Sequence, residues 1–180
     1  MTDSPMTPSS SSYDPDRPPR KRILDWEAAK AFVATARADG RRVVMANGCF
    51  DLLHGGHVSY LESSREFGDA LIVGINSDSS ERELKGPMRP VVPDVERAEL
   101  VAAVEGVDAV FIFDELTAER ALRELRPDVH AKGTDYTSDT VPEREISEEL
   151  GIEVAIAGRP KENTSKAIIK TARESGAASG

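Results

Sequence analysis

Short runs of almost wholly apolar residues alternate along this chain with segments of helical hydrophobic spacing, and that alternation restricts the fold more than any other feature. The runs are 42–46, 70–75, 109–113, 129–131 and 153–157. A strand that is apolar on both faces must be covered on both faces, the situation of a parallel sheet between two helical layers. The segments between the runs supply those layers. Trp26, Ala29, Phe32, Val33 and Ala36 recur at helical spacing, and Gly40 ends their helix. Further helices are expected over 57–67, over 95–104 behind the opening signal Pro93-Asp94, over 117–125 up to Pro127, over 142–150 and over 164–173. Right-handed crossovers then give a Rossmann-like, doubly wound α/β fold, a single domain with a parallel sheet of about five strands.

The length of 180 residues leaves room for one such domain. Residues 1–22 are rich in Ser, Pro, Asp and Arg and nearly free of apolar side chains, so burial cannot offset the entropy of ordering them. The expected organisation is a disordered tail over 1–22, a folded domain over 23–174 and a flexible end over 175–180. Arg17-Pro-Pro-Arg-Lys-Arg22 reads as a solvated linker or as a basic interaction patch. A formal net charge of −9 argues against a nucleic-acid partner and against an anionic membrane surface, both of which ask for Lys and Arg. No apolar run approaches the length of a membrane span. With Cys49 the single cysteine, no intrachain disulfide can form, and the N-terminus lacks the apolar core of a secretory signal. These features point to a cytoplasmic protein that handles a small molecule.

In a doubly wound fold, ligands bind past the carboxyl ends of the strands, near the reversal of strand order. The loop after the first run, Asn47-Gly-Cys-Phe-Asp-Leu-Leu-His-Gly-Gly-His57, is therefore the most informative stretch. It places His54 and His57 around two glycines at the mouth of a helix. A helix N-terminus offers free N–H groups and the positive end of the dipole, and Gly56 lets a phosphate approach the backbone. The two imidazoles then donate to phosphate oxygens. Phosphoryl and nucleotidyl transfer ask little more of a protein than positioning and donors aimed at the charge that builds on phosphorus. A metal reading is poorer, because two histidines lack a third ligand nearby; an ordinary polar helix start is the other alternative.

The same residues carry a resemblance. Gly48-Cys-Phe-Asp51 followed by His54-Gly-Gly-His57 is similar to the signature of the His-x-Gly-His nucleotidyltransferases, the cytidylyltransferase-like superfamily, and the likeness runs from about Arg41 to Arg173. Members join a nucleoside triphosphate to a phosphorylated small molecule and release pyrophosphate. Asn47-Gly-Cys-Phe-Asp51, Gly74-Ile-Asn-Ser-Asp78, Lys85-Gly-Pro-Met-Arg-Pro90 and Lys132-Gly-Thr-Asp-Tyr136 together resemble the adenylyltransferases of ADP-heptose synthesis. The resemblance implies a catalytic role for His54, His57 and Lys85. It implies nucleotide contacts from Asn47, Gly48, Cys49, Phe50 and Gly56, from Arg97, from Gly133 and Asp135, and from Asn163, Thr164 and Ser165. Asp51, Asp78, Arg89 and Lys132 would meet the second substrate. Asn163 departs from the family's Ser/Thr run, although Asn caps a helix as well as Ser does.

Read on their own, several of these residues have two roles open. Lys85, in a Gly/Pro-containing loop, and Arg89 either reach phosphates or face solvent. Asp78 binds a hydroxyl or caps a turn, and Asp135 meets sugar hydroxyls or closes an Asx-type turn. Arg97 meets the triphosphate or forms a surface ion pair. The segment 163–165 holds phosphates or is a plain helix cap. His130 reads as structural, and no general base near Cys49 makes it a nucleophile. The expected chemistry is in-line attack of a sugar 1-phosphate on the α-phosphorus of ATP, with Mg²⁺ carried mainly by the ATP phosphates and no protein metal cage. The alternatives are the same reaction with CTP and an alcohol phosphate, or a nucleotide-binding sensor without turnover. No sugar kinase fits in the chain, so a separate kinase is expected in the pathway; a homodimer is the family analogy.

Overall fold

The computed structural model describes residues 22–137, 139–160 and 165–177, so the tail expected over 1–22 lies outside the described residues except for Arg22. Six parallel strands form one sheet: β1 (Ile23–Leu24), β2 (Val43–Gly48), β3 (Ala70–Asn76), β4 (Ala109–Phe113), β5 (Val129–Gly133) and β6 (Glu153–Ala157). Their order is β1-β4-β3-β2-β5-β6. The five apolar runs appear as β2 to β6. β1 has two residues, too few to leave a hydrophobic pattern, and pairs along β4. Arg22 secures it: its carbonyl accepts from Val110 N at 2.7 Å and its guanidinium donates to Val107 O at 3.0 Å. Arg22, inside the stretch read as tail, is therefore tied to the edge of the sheet.

The helices are α1 (Trp26–Ala38), α2 (Gly55–Arg65), α3 (Asp78–Lys85), α4 (Asp94–Ala102), α5 (Glu119–Leu125), α6 (Arg144–Leu150) and α7 (Ser165–Ala177). Local chemistry explains several of their ends. Asp25 caps α1 by accepting from Ala28 N at 2.8 Å, and Gly40 turns the chain out of it at φ 72°. α7 continues past the expected boundary at residue 173. α3 was not expected at all, because the segment carrying Lys85 reads as a loop. Its sequence, Asp-Ser-Ser-Glu-Arg-Glu-Leu-Lys, has no apolar stripe, and the residues it buries are Ser80 and Glu81. A helix with a polar buried face is invisible to hydrophobic periodicity.

Alternate residues of β2, β3 and β4 feed two cores. One packs Val44, Val73 and Val110 against Leu61 of α2 and Ala98 and Val101 of α4. The other packs Met45, Ile72 and Phe111 against Ala29 and Val33 of α1 and Leu122 of α5. Full burial of each such aliphatic side chain contributes about 1.5–3 kcal/mol. From β2 the chain moves outward to β3 and β4, then returns to β5 and β6 on the other side. The reversal of strand order falls between β2 and β5, and the carboxyl ends of those two strands mark the expected ligand crevice.

Candidate active site

The β2–α2 loop starts the site. His54 is the N-cap of α2, in an extended conformation, and its Nδ1 accepts from Gly56 N at 3.1 Å. An accepting Nδ1 carries no proton, so the neutral ring bears its hydrogen on Nε2, the nitrogen that remains a donor. His57, one turn on, stacks against His54 with ring centroids 3.9 Å apart. Behind His57 lies Phe50, whose ring meets it edge-on at 5.3 Å and stacks with Tyr60 at 6.3 Å. The Tyr60 hydroxyl donates to Ala131 O at 2.7 Å and so ties α2 to β5. The Phe50 ring is thus a buried wedge behind His57. Gly48 makes room for it, since a Cβ there would sit 3.2 Å from the Phe50 ring.

Phe50 and Leu52 both adopt φ 53°, a left-handed conformation that costs a non-glycine residue about 1–2 kcal/mol. Asp51, between them, holds that shape. It is buried, and its carboxylate accepts from Val91 N and Val92 N at 3.0 Å and pairs with Arg89 Nε at 2.8 Å. Arg89 also approaches Glu81 at 3.5 Å. Glu81 is fully buried on α3 and lies 3.2 Å from Arg97 Nη1. Burial raises its carboxyl above the ordinary carboxylate range, with Arg97 pulling it back.

Arg97 is the centre of this network. It is fully buried on α4, donates to Val92 O at 2.8 Å, to Asn76 O at 3.0 Å and to Cys49 O, and pairs with Asp78 at 2.8 Å. It is fully buried among these partners, so it is not the surface ion pair that was one of the two readings from sequence. Asp78 is a cap in a reciprocal pair: Asp94 N donates to it at 2.8 Å, and Asp78 N donates to Asp94 at 2.9 Å. Asp51 and Arg89 therefore pair with each other, and Asp78 with Arg97 and the Asp94 backbone. Cys49 lends its carbonyl to Arg97, and burial pushes its thiol pKa up to about 11, so no thiolate is at hand at neutral pH. Lys85 closes α3 as an exposed residue, and its charge acts on Cys49 in the histidine loop.

A second polar cluster lies across β2. Lys132, nearly buried, pairs with Glu143 at 2.9 Å and donates to Asn47 Oδ1 at 3.4 Å. His130 Nε2 meets the same Oδ1 at 2.9 Å. Glu143 Oε1 accepts from Ala118 N at 3.2 Å. Lys132 is thus engaged with Glu143 and Asn47. Gly133 has nothing within 4 Å of where a Cβ would stand, so no protein neighbour demands glycine there. Asp135 is exposed in the turn that Tyr136 N closes on Gly133 O at 3.1 Å. Asn163 and Thr164 lie outside the described residues; Ser165 opens α7.

The profile of the cytidylyltransferase-like family matches residues 45–179. The chain belongs to that family. As a cytidylyltransferase-like chain it is a nucleotidyltransferase. It is 44% identical over 153 residues to the "Bifunctional protein HldE" of Geobacter sulfurreducens, a match covering 83% of this chain and 31% of that protein. To the protein of the same name from Methylobacillus flagellatus it is 50% identical over 120 residues, covering 67% of this chain and 25% of the other. The chain thus spans about a third or less of the length of these curated relatives. A solved structure, the lipopolysaccharide core biosynthesis protein from Thermoplasma volcanium, superposes with a TM-score of 0.57 at 26% identity, covering 68% of this chain and all of that one.

In this cytidylyltransferase-like site, the sequence reading missed the residues that position others. Glu81 and Glu143 carry no local signal, because their partners Arg97 and Lys132 are close only in space. Arg159 was missed too. It follows β6, and both its backbone N and its Nε reach Ser59 Oγ of α2, at 3.3 and 3.2 Å. A cleft of about 580 Å³ between Arg37, Arg42, Arg126 and Asp128 opens at the amino ends of the strands, away from this site. Its guanidinium groups are engaged with Arg126 O, Phe67 O and Glu153. Among the described residues no group of three or more His, Cys, Asp or Glu side chains could hold a metal ion, and no helix is long and apolar enough to cross a membrane.

Proposed function

We propose that this chain transfers AMP from ATP to D-glycero-β-D-manno-heptose 1-phosphate and releases pyrophosphate. The observation that carries the reading is the stacked pair His54–His57 at the mouth of α2, with the His54 tautomer set by its own helix cap. The likeness to the bifunctional HldE proteins supports the substrate class.

The sugar phosphate is itself the nucleophile, so no general base is required. As it attacks the α-phosphorus, charge grows on the equatorial oxygens and on the departing pyrophosphate. His54 donates through Nε2, and His57 donates beside it. Lys85 supplies a mobile positive charge from the end of α3, and the segment 163–165 holds the triphosphate at the start of α7. Gly133 and Asp135 border the nucleotide. Asp51, Arg89, Asp78 and Arg97 act at one remove, by fixing the histidine loop and α3. Mg²⁺ bound to the phosphates supplies charge neutralisation of the leaving group. The carboxylates of Asp51 and Asp78 are engaged in ion pairs, which fits an ion held mainly by ATP oxygens and water. A sugar kinase acts earlier in the same pathway, the reaction is cytoplasmic, and the enzyme works as a homodimer.

A panel of ATP and CTP against heptose 1-phosphate and glycerol 3-phosphate, read as pyrophosphate release and product mass, tests the reading. ATP with the heptose phosphate should give the highest kcat/KM. Preference for CTP with glycerol 3-phosphate would replace the assignment, and release with no pair would reduce the chain to a nucleotide-binding protein.

A further inference from the structure

His130 and Lys132, the latter held by Glu143, fix the Asn47 amide in one orientation. Lys132 carries donors only, so the atom of Asn47 that it faces must be the amide oxygen. His130 Nε2 meets that same oxygen and must therefore be the protonated nitrogen of its ring. This leaves His130 Nδ1 a bare acceptor, fully buried and without a hydrogen-bond partner among the described residues. Buried polar atoms are almost always paired, so the arrangement sacrifices one atom of His130 to fix another on Asn47. Glu143 completes the set by holding the Lys132 ammonium in place at 2.9 Å.

The consequence lies on the other branch of the amide. Asn47 is half-buried near the carboxyl end of β2, where strand order reverses, just before the loop that carries His54 and His57. With Oδ1 drawn toward β5 by two donors, Nδ2 is turned the other way, and it makes no hydrogen bond among the described residues. An amide fixed in one orientation costs no reorganisation when charge develops in front of it. We propose that Glu143, Lys132 and His130 form a positioning relay that turns the Asn47 amide so that its Nδ2 hydrogens donate to a phosphoryl oxygen of the bound nucleotide. The identity of that acceptor rests on the nucleotidyl-transfer reading. The relay assigns work to His130 and Glu143, two residues that touch no substrate.

Two measurements on the full chain test it. The first follows the Asn47 side-chain amide by NMR in isotope-labelled protein while pyrophosphate is added, with Asn47→Asp identifying the signal. The Nδ2 resonances should move on titration in the wild type. In His130→Leu the shift should shrink, while His130→Gln, which keeps a donor, should retain more of it. A wild-type signal that ignores pyrophosphate while the His57 ring responds would overturn the proposal. The second is kinetic. Asn47→Ala should lower kcat by about 10²-fold with little change in KM for ATP, as expected for a donor whose bond strengthens in the transition state. His130→Leu and Glu143→Gln should shift the same parameter by less, with His130→Gln closer to wild type. Near-normal kcat in a folded Asn47→Ala protein would refute the contact. If no sugar phosphate is turned over by any protein and the amide still responds to pyrophosphate, the substrate assignment fails and the relay stands.

Discussion

Two buried polar clusters flank β2, and they do different work. On the β3 side, Asp51, Glu81, Asp78, Arg89 and Arg97 come from two loops and two helices. On the β5 side, Asn47, His130 and Lys132 lie on adjacent strands, joined by Glu143. The first cluster pulls together segments that backbone pairing does not align, and it holds the left-handed residues Phe50 and Leu52 in shape. The second decorates strands already locked in register, where Met45 is level with His130. Charge therefore builds the scaffold on one side and orients a side chain on the other. Paired charges in the interior repay their desolvation only when every partner is present, so the two clusters should fail differently when one member is removed.

The largest effect is expected for Arg97→Met. It leaves Glu81 with Arg89 alone, at 3.5 Å, and takes from the carbonyls of Cys49, Asn76 and Val92 the guanidinium that donates to them, so stability should fall by about 3–5 kcal/mol in equilibrium denaturation. A loss under about 1 kcal/mol would show that α3 and the histidine loop hold together without it. His57→Ala lies between the clusters and should separate chemistry from folding. Loss of one preorganised donor should lower kcat by about 10²–10³ while the melting temperature barely moves. A matching fall in stability would instead make His57 a packing residue behind Phe50.

Acid should act through the β5 side. Burial, and then Lys132, pushes the His130 pKa down to about 3, against an ordinary value of 6.5. The folded state thus binds fewer protons than the unfolded one inside that window. Stability should be level above pH 6.5 and should fall as pH drops from 6.5 toward 3. Burial raises the Glu143 carboxyl, but Lys132 and His130 bring it below 4.5, so its share is lost only at the acid end. Denaturation of His130→Gln across pH should lack the slope between 6.5 and 4.5; an unchanged slope would place it elsewhere. The smallest change in stability is expected for Lys85→Ala, under about 0.5 kcal/mol, because the residue is exposed. Its kcat/KM for ATP should still fall by about tenfold, the worth of one charge-assisted hydrogen bond. Unchanged kinetics would leave Lys85 a solvent-facing residue.

How much of this was legible beforehand follows from which forces leave a local trace. The strands β2 to β6 were readable because parallel strands buried on both faces must be apolar along their length. The helix at 26–38 was readable from its stripe and from Gly40. The histidine loop stood out because glycines, imidazoles and a helix start are neighbours in sequence. α3 escaped because the face it buries is Ser80 and Glu81. The burial of Arg97 left no local trace, since the carboxylates it meets lie 16 and 19 positions away on α3, and the carbonyls of Asn76 and Cys49 farther still.

The sequence by itself therefore determined the layers and the sheet, because burial of apolar surface is written into every residue of a strand or stripe. Only the tertiary structure decided which charged side chains face one another. The reason is physical: the cost of burying a charge depends on which opposite charges and donors surround it. Glu81 meets Arg97, and Lys132 meets Glu143, through contacts that no local pattern encodes.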